Sequence, residues 1–150
     1  MQDNLINVFL EYQATGSVSN TIEKFGKFSQ ESLIQKYAKQ VLEGLEYLHL
    51  NNLVHGDIKG ANVLLDKKGD AKIADFGNSK NIFAEELSLG TTRWMAPEVM
   101  REGRVSRQSD IWSFGCLMLE MITGQAPYHE LKSETQESLL FQLSEIQRAP

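Results

Sequence analysis

Residues 109–123 restrict the fold of this 150-residue chain more than any other stretch, because they are apolar on nearly every side. Apolar side chains around the whole circumference predict a helix without a polar face, and Gly124 predicts its end. Such a helix must lie in the middle of a core, with other elements packed around it. Its apolar residues are Ile111, Trp112, Phe114, Leu117, Met118, Met121 and Ile122. The chain is 41% hydrophobic and long enough for one core-bearing domain.

A second helix is predicted from Ser29 onwards. Apolar residues recur there every three or four positions, with Ser29 as the N-terminal cap and Asn51-Asn52 as the end. These apolar positions are Leu33, Tyr37, Val41, Leu45 and Leu48. The tail, residues 133–150, is polar apart from one weakly amphipathic stretch around Leu139 and Leu143.

Short strands are predicted between these helices. Residues 5–10 are apolar and β-branched, which indicates a strand, and the polar segment 14–17 ends it. Residues 62–66 and 71–74 are two strand candidates joined by a polar, glycine-containing turn, which favours a hairpin. Residues 76–96 have no clear period and are interpreted as a long loop. The expected fold class is therefore mainly α with small β-hairpins.

The charge and the apolar runs exclude two kinds of partner. A net charge of -5 without clustered lysine or arginine argues against a nucleic-acid-binding face. The longest apolar run, residues 114–122, contains Glu120 and is too short to span a bilayer. Cys116 is interpreted as a small buried hydrophobe, as in proteins of a reducing compartment. We therefore expect a cytoplasmic protein without a nucleic-acid partner or a membrane span.

Three motifs of chemically capable residues follow one another along the chain. Taken singly, Asp57 could be a solvated turn carboxylate, Asn62 an Asx-turn residue and Asp75 part of a glycine-punctuated loop. Together the motifs specify nine positions in order, a coincidence on the order of one in 10¹¹ at typical residue frequencies. They are His55, Asp57 and Asn62 in the spacing H-x-D-x-x-x-x-N, then Asp75-Phe76-Gly77, then Ala96-Pro97-Glu98.

This series of motifs resembles the catalytic loop, D-F-G and A-P-E elements of the protein kinase family. The resemblance implies a protein-kinase-like fold, with a hinge at about residues 5–16 and a C-terminal lobe at about residues 17–150. No counterpart of the glycine-rich loop, strand lysine or helix glutamate of the N-terminal lobe precedes Leu5. We therefore expect a partial kinase domain over residues 1–150, with the N-terminal lobe largely absent and little activity by itself.

The resemblance also assigns roles in phosphoryl transfer, a reaction catalysed mainly by positioning and charge neutralisation. Asp57 would orient the substrate hydroxyl and accept its proton, and Lys59 would lie against the transferring phosphate of ATP. Asn62 and Asp75 would supply oxygen ligands to Mg²⁺. A lysine two positions after the aspartate is typical of serine/threonine kinases, whereas tyrosine kinases carry an arginine further along this loop.

The nucleotide base has its own set of candidate residues. The segment after residues 5–10 resembles the kinase hinge, which binds adenine through backbone groups. Leu10 matches the gatekeeper position, Glu11 and Gln13 match the hinge, and Leu64 would lie under the base. Without the resemblance, this segment would be interpreted only as the end of a strand.

Further positions match residues that support the catalytic loop. Asp110 matches an aspartate that braces this loop from beneath, although a carboxylate at a helix N-terminus is also favoured by the macrodipole. His55, Phe76 and Gly77 belong to the structural part of their motifs. Glu98 would be buried and pair with an arginine beyond Pro150, because no arginine of this chain matches that position.

The activation segment differs from the family pattern next to Asp57. Thr91 matches the threonine that bridges the aspartate and Lys59, and Ser88 and Thr92 are neighbouring candidate phosphorylation sites. Kinases controlled by phosphorylation usually have an arginine immediately before the aspartate, which pairs with the phosphate. This chain has Gly56 there. The hypothesis is that activation does not depend on that ion pair.

Three segments, 60–64, 94–99 and 109–116, resemble the MAP kinase kinase kinase branch most. The resemblance implies ATP, Mg²⁺ and a protein substrate, with a MAP kinase kinase as the candidate. The alternatives are a pseudokinase or kinase fragment that acts as a protein-binding module, and an incomplete gene product. The joint presence of Asp57, Lys59, Asn62 and Asp75 favours a parent protein with intact chemistry.

Overall fold

The computed structural model describes residues 11–81, 91–132, 135–145 and 150. Within these residues the fold is mainly helical with small antiparallel sheets, so the predicted fold class is confirmed. The elements are α1 Val18–Phe25, α2 Glu31–Leu50, β1 Leu53–Val54, β2 Val63–Leu65, β3 Ala71–Ile73, β4 Lys80–Asn81, α3 Pro97–Glu102, α4 Arg107–Thr123 and α5 Gln136–Ser144. Short 3₁₀ turns cover Gly60–Asn62, Phe76–Asn78 and Thr92–Trp94. The predicted strand 5–10 lies outside the described residues.

The long helix α2 packs one face into the core, as its periodicity predicted. Tyr37, Val41, Leu45 and Leu48 are buried, and the helix ends at Asn51 as expected. The prediction of Ser29 as its cap is wrong. Gln30 is the cap, and its carbonyl accepts the amides of residues 33 and 34 without help from any side chain. Ser29 lies one residue too early for its hydroxyl to reach the first free amides.

Helix α4 begins two residues before the predicted start and ends at Gly124, as predicted. Ser106 and Ser109 form a capping box, in which each side chain accepts a hydrogen bond from the other's backbone amide. Gly124 adopts a left-handed conformation with φ of 74°, which a residue with a Cβ would adopt only with strain. Two serines three residues apart were the sequence signal for this earlier start.

The prediction that α4 is buried on all sides is only partly correct. Ile111 and Ile122 are 49% and 48% exposed, whereas the acids Asp110 and Glu120 are almost fully buried. Buried carboxylates are tolerated where loops supply hydrogen-bond donors, so α4 positions loops as well as filling the core. Cys116 is buried as predicted, and burial together with the charge of Glu120 raises the pKa of its thiol to about 12.

The two small sheets have different origins. Strands β2 and β3 form the predicted hairpin, with Val63 opposite Ile73 and Leu65 opposite Ala71. Strands β1 and β4 pair across a large separation in sequence, with Leu53 opposite Asn81, so this pair is not a hairpin. Strand β4 lies within residues 76–96, which were predicted to be a loop. A two-residue strand contains no periodic pattern that a sequence could reveal.

Two short helices, α1 and α3, were not predicted. Helix α1 begins at a capping box between Ser17 and Asn20 and ends before Gly26, but its 8 residues are too few for a clear period. Helix α3 begins with Pro97 at its first position. The amphipathic stretch of the tail forms α5, which buries Leu139 and Leu143. None of the helices in the described ranges has the length and apolarity needed to cross a membrane.

Candidate active site

The loop between β1 and β2 is held from below by Asp110 of α4, whose side chain is fully buried. Its Oδ2 accepts the amide of His55 and its Oδ1 accepts the amide of Gly56, both at 2.9 Å. The imidazole Nε2 of His49 lies 2.8 Å from Oδ2 as well. Gly56 has φ of 77°, a left-handed conformation that glycine adopts without strain. One carboxylate therefore fixes the backbone immediately before Asp57.

Three residues bring donors to the carboxylate of Asp57, which is 5% exposed. The ammonium of Lys59 lies 2.8 Å from Oδ2, and the amide of Thr91 donates to Oδ1 at 2.8 Å. The side-chain amide of Asn62 donates to Oδ2 at 3.1 Å. Lys59 also donates to the hydroxyl of Thr91. The structure thus brings together four residues that the sequence singled out for phosphoryl transfer.

The surroundings of Asp57 determine the charge of its carboxylate. Burial alone would raise its pKa, but hydrogen bonds from Lys59 and Thr91 and the positive charge of Lys59 outweigh that effect. The pKa of Asp57 is therefore below its usual range. At neutral pH the group is an ionised acceptor, which is the state needed to receive a proton from a hydroxyl.

The β2–β3 hairpin places Asn62 and Asp75 at the same end. The amide of Ala74 donates to the carbonyl of Asn62 at 2.9 Å, and Asp75 is the next residue along the chain. His55 ties the two segments together, because its Nε2 lies 3.1 Å from the carbonyl of Ala74. The ring of Phe76 contacts the same imidazole edge-on at 5.5 Å. The catalytic-loop and D-F-G segments therefore form one unit.

The donor atoms at this end of the hairpin fit Mg²⁺. Within the described parts of the chain Asn62 makes both of its side-chain hydrogen bonds through Nδ2, so the oxygen Oδ1 remains for a cation. Asp75 is exposed, has φ of 63° and, among the residues that the structure describes, accepts only the amide of Gly77, at 3.3 Å. The described residues contain no cluster of three His, Cys, Asp or Glu side chains for a metal. An amide and a carboxylate suffice for Mg²⁺, which usually completes its shell with water and substrate phosphates.

A pocket of about 430 Å³ adjoins Asp75. It is lined by Glu11, Gln13 and Leu64 on one side and by residues 72–77 on the other. This volume lies in the range of small-molecule sites, and the predicted adenine-binding residues that the structure describes share it. The side chain of Glu11 points to Lys72, with 2.7 Å between carboxylate and ammonium. The predicted gatekeeper, Leu10, lies outside the described residues.

The remaining predicted positions have mixed outcomes. Glu98 was expected to be buried, but it is only partly buried in the first turn of α3. No ion pair involves Glu98 among the residues with described positions, and its place at the helix start leaves it partly in water. Thr92 is 8% exposed, in a 3₁₀ turn. Ser88 lies in the part of the chain that is not described.

Two residues near the site were missed by the sequence analysis. Glu120 accepts hydrogen bonds from the catalytic loop and from Trp94, and the only signal for it was an acid inside an apolar run. Arg93 donates to backbone carbonyls of residues 127, 128 and 131, which attach the 92–94 turn to the segment after α4. No sequence pattern indicates contacts with backbone carbonyls.

The fold and this arrangement of side chains define the class of protein. The family model described as a protein kinase domain matches residues 1–150. The chain therefore belongs to the protein kinase family, as its motifs predicted.

Within this family the chain is similar to MAP kinase kinase kinases, which confirms the narrower resemblance. Mitogen-activated protein kinase kinase kinase A of Dictyostelium discoideum is 47% identical over 135 residues, 87% of this chain and 14% of that protein. Mitogen-activated protein kinase kinase kinase ANP1 of Arabidopsis thaliana is 46% identical over 140 residues, 89% of this chain and 21% of the relative. Serine/threonine-protein kinase STE11 of Saccharomyces cerevisiae is 45% identical over 130 residues, 82% of this chain and 18% of the relative. The chain thus spans about a fifth of the length of these relatives or less.

Proposed function

We propose that this chain carries the catalytic centre of a serine/threonine protein kinase that transfers the γ-phosphate of ATP to a protein hydroxyl. The observation that carries the proposal is the ionised, buried carboxylate of Asp57, held 2.8 Å from the ammonium of Lys59. A general base and a cation at this separation can serve one hydroxyl and one phosphate at the same time. The proposal includes a division of the chain into a hinge, about residues 5–16, and a C-terminal lobe, about residues 17–150.

The described side chains would divide the reaction between them. Asp57 would accept a hydrogen bond from the attacking hydroxyl and then its proton, while Lys59 would neutralise charge on the moving phosphoryl group. Thr91 would keep both side chains in place, because it contacts each of them. Asn62 and Asp75 would hold Mg²⁺, which would neutralise the phosphates and orient them.

The protein substrate and the cell compartment are inferred from relatives. The names of the relatives describe kinases that act on MAP kinase kinases, so a MAP kinase kinase is the proposed substrate. A lysine rather than an arginine in the catalytic loop favours serine or threonine as the acceptor. A substrate of this kind and an acidic chain fit a cytoplasmic signalling protein.

The test is phosphate transfer by the full-length natural protein. Incubation with Mg²⁺, radiolabelled ATP and a MAP kinase kinase is expected to yield phosphoserine or phosphothreonine in the substrate. The 150 residues alone should give negligible transfer. Tight binding of a partner protein without transfer by the full-length protein would instead support the binding-module alternative.

Asp75→Asn is expected to weaken binding of Mg-ATP to the full-length protein about 10- to 100-fold, because the substitution removes the charge of a proposed metal ligand. Affinity for ATP in the presence of EDTA should not change. Isothermal titration measures both. Glu43→Gln is the matched control, since Glu43 is exposed on α2, lies outside the pocket of Asp75 and also loses one negative charge. Equal affinities of Asp75→Asn and the parent in Mg²⁺ would exclude Asp75 as a ligand.

Ser88→Ala is expected to change the rate of phosphate transfer by less than about twofold, because Gly56 offers no guanidinium to a phosphate. The measurement is kcat of full-length Ser88→Ala and of the full-length parent, each before and after phosphatase treatment. Gly56→Arg is the companion variant. Because its guanidinium can pair with a phosphate, phosphatase treatment of this variant should reduce kcat. The left-handed backbone at residue 56 costs the arginine variant about 1–2 kcal/mol of stability. A hundredfold drop in Ser88→Ala would contradict the hypothesis.

A further inference from the structure

Glu120 is a buried acid on α4 that belongs to none of the three motifs, yet it joins three other segments. Its side chain is 6% exposed. Its Oε1 accepts the hydroxyl of Ser19, on α1, at 2.6 Å. Its Oε2 accepts the amide of Gly60 and the indole N–H of Trp94, each at 3.0 Å. Among the described residues these donors are all uncharged, so directional hydrogen bonds are the contribution of Glu120.

The contact between Glu120 and the catalytic loop is close enough to exclude a side chain. A Cβ built on Gly60 would lie 2.5 Å from Oε1 of Glu120 and 2.6 Å from the hydroxyl of Ser19. Either the loop or the acid would have to move to make room for that atom. The position of Gly60 is thus set by the carboxylate directly.

Two of the three segments that Glu120 binds lead to Asp57. Lys59 is the residue before Gly60, and its ammonium lies 2.8 Å from Asp57. Trp94 donates its backbone amide to the carbonyl of Thr91 at 3.0 Å, and the amide of Thr91 donates to Asp57. One carboxylate therefore anchors the backbone one residue from Lys59 and the indole of Trp94, one 3₁₀ turn from Thr91.

We propose that Glu120 is a positioning residue that sets the spacing of Lys59 and Thr91 around Asp57. The inference rests on the proposed kinase activity and adds a requirement to it. Without the acceptor, the catalytic loop and the 92–94 turn lose one shared anchor and can shift relative to each other. A shift of about 1 Å in a catalytic group can cost about 10²-fold in rate.

The decisive variant is Glu120→Met, which keeps the length of the side chain and removes both acceptors. In the full-length natural protein it is expected to lower kcat about 10- to 100-fold with KM for ATP within about twofold. The value of kcat is counted per molecule that binds Mg-ATP, from the stoichiometry of a calorimetric titration. Loss of folded protein alone lowers that stoichiometry but leaves the corrected kcat unchanged.

Three further variants separate positioning from packing. Glu120→Gln should restore kcat to within about fivefold of the parent, because its amide oxygen can accept both N–H groups while its NH₂ donates to Ser19. Trp94→Phe, which loses one donor, should lower kcat about 3- to 10-fold and add little to Glu120→Met. Ser19→Ala is the control. Its kcat is expected to lie within about twofold of the parent value, because it removes a hydrogen bond to the same carboxylate from outside the catalytic segments.

The outcomes distinguish this inference from the proposed function. If the parent protein transfers phosphate and the corrected kcat of Glu120→Met is within twofold of the parent value, the inference is overturned and the proposed function stands. If Glu120→Met binds no nucleotide, Trp94→Phe decides, and a kcat within twofold of the parent overturns the inference. A parent that transfers no phosphate overturns both.

Discussion

Replacing Asp57 by asparagine in the full-length natural protein is expected to lower kcat roughly 10³- to 10⁴-fold, the upper part of what a general base contributes. Asparagine has the same shape and can still accept the amide of Thr91, so the loop should keep its conformation. It cannot take the proton of a hydroxyl or pair with the ammonium of Lys59. The KM for ATP should change little, since the pocket proposed for the nucleotide is lined by other residues.

The pH dependence of this variant supplies a second test. The pKa of Asp57 is lowered in the folded protein, so the stability that its ionisation contributes is complete above the unfolded pKa, about 3.9. That contribution is lost as the pH falls below about 4. Unfolding curves of the parent and Asp57→Asn should therefore converge in acid and separate at neutral pH. Glu43→Gln serves again as the control, and an Asp57→Asn enzyme within tenfold of the parent kcat would exclude Asp57 as the base.

The second large effect is expected at Asp110. Asp110→Ala should destabilise the domain by about 3–5 kcal/mol, because it leaves the buried amide of His55, the partly buried amide of Gly56 and the imidazole of His49 without their acceptor. Hydrogen exchange in the full-length protein localises the loss, since the amides of His55 and Gly56 should exchange faster by a large factor. Thermal unfolding gives the size of the effect.

A matched variant tests the physical reason. Asp110→Asn keeps one acceptor oxygen, so it should retain one of the two amide bonds and cost less than the alanine variant. Unchanged exchange at His55 and Gly56 in Asp110→Ala would show that the helix fixes the loop without this carboxylate. Lower activity with normal exchange would show that Asp110 acts on catalysis by another route.

The elements that the sequence predicted well are those whose pattern is local. The buried face of α2 repeats from Tyr37 to Leu48, over about three turns, and the turn between β2 and β3 contains a glycine with φ of 73° at Gly69. The pairing of β1 with β4 was not predicted, because two residues from each of two distant segments meet only in the folded chain. Hydrogen bonding between β1 and β4 depends on the tertiary structure, which a local sequence pattern does not contain.

The site shows the same division. The motifs identified Asp57, Lys59, Asn62 and Asp75 by type and spacing, and the fold brings the first three into contact. The hydrogen bond from the backbone amide of Thr91 to Asp57 could not be predicted from residue types, because every residue except proline has such an amide. Buried acids on α4 were also misjudged, because the helix pattern counts Glu120 as an interruption of an apolar face rather than as an acceptor for loops.

The buried thiol of Cys116 has a consequence for chemical reactivity. The thiolate is the form of cysteine that attacks peroxide and electrophilic inhibitors, and a pKa of about 12 leaves roughly one thiolate in 10⁵ molecules at pH 7. The sequence contains a single cysteine, so an oxidant or a covalent warhead that requires a thiolate finds almost none within these 150 residues while they are folded.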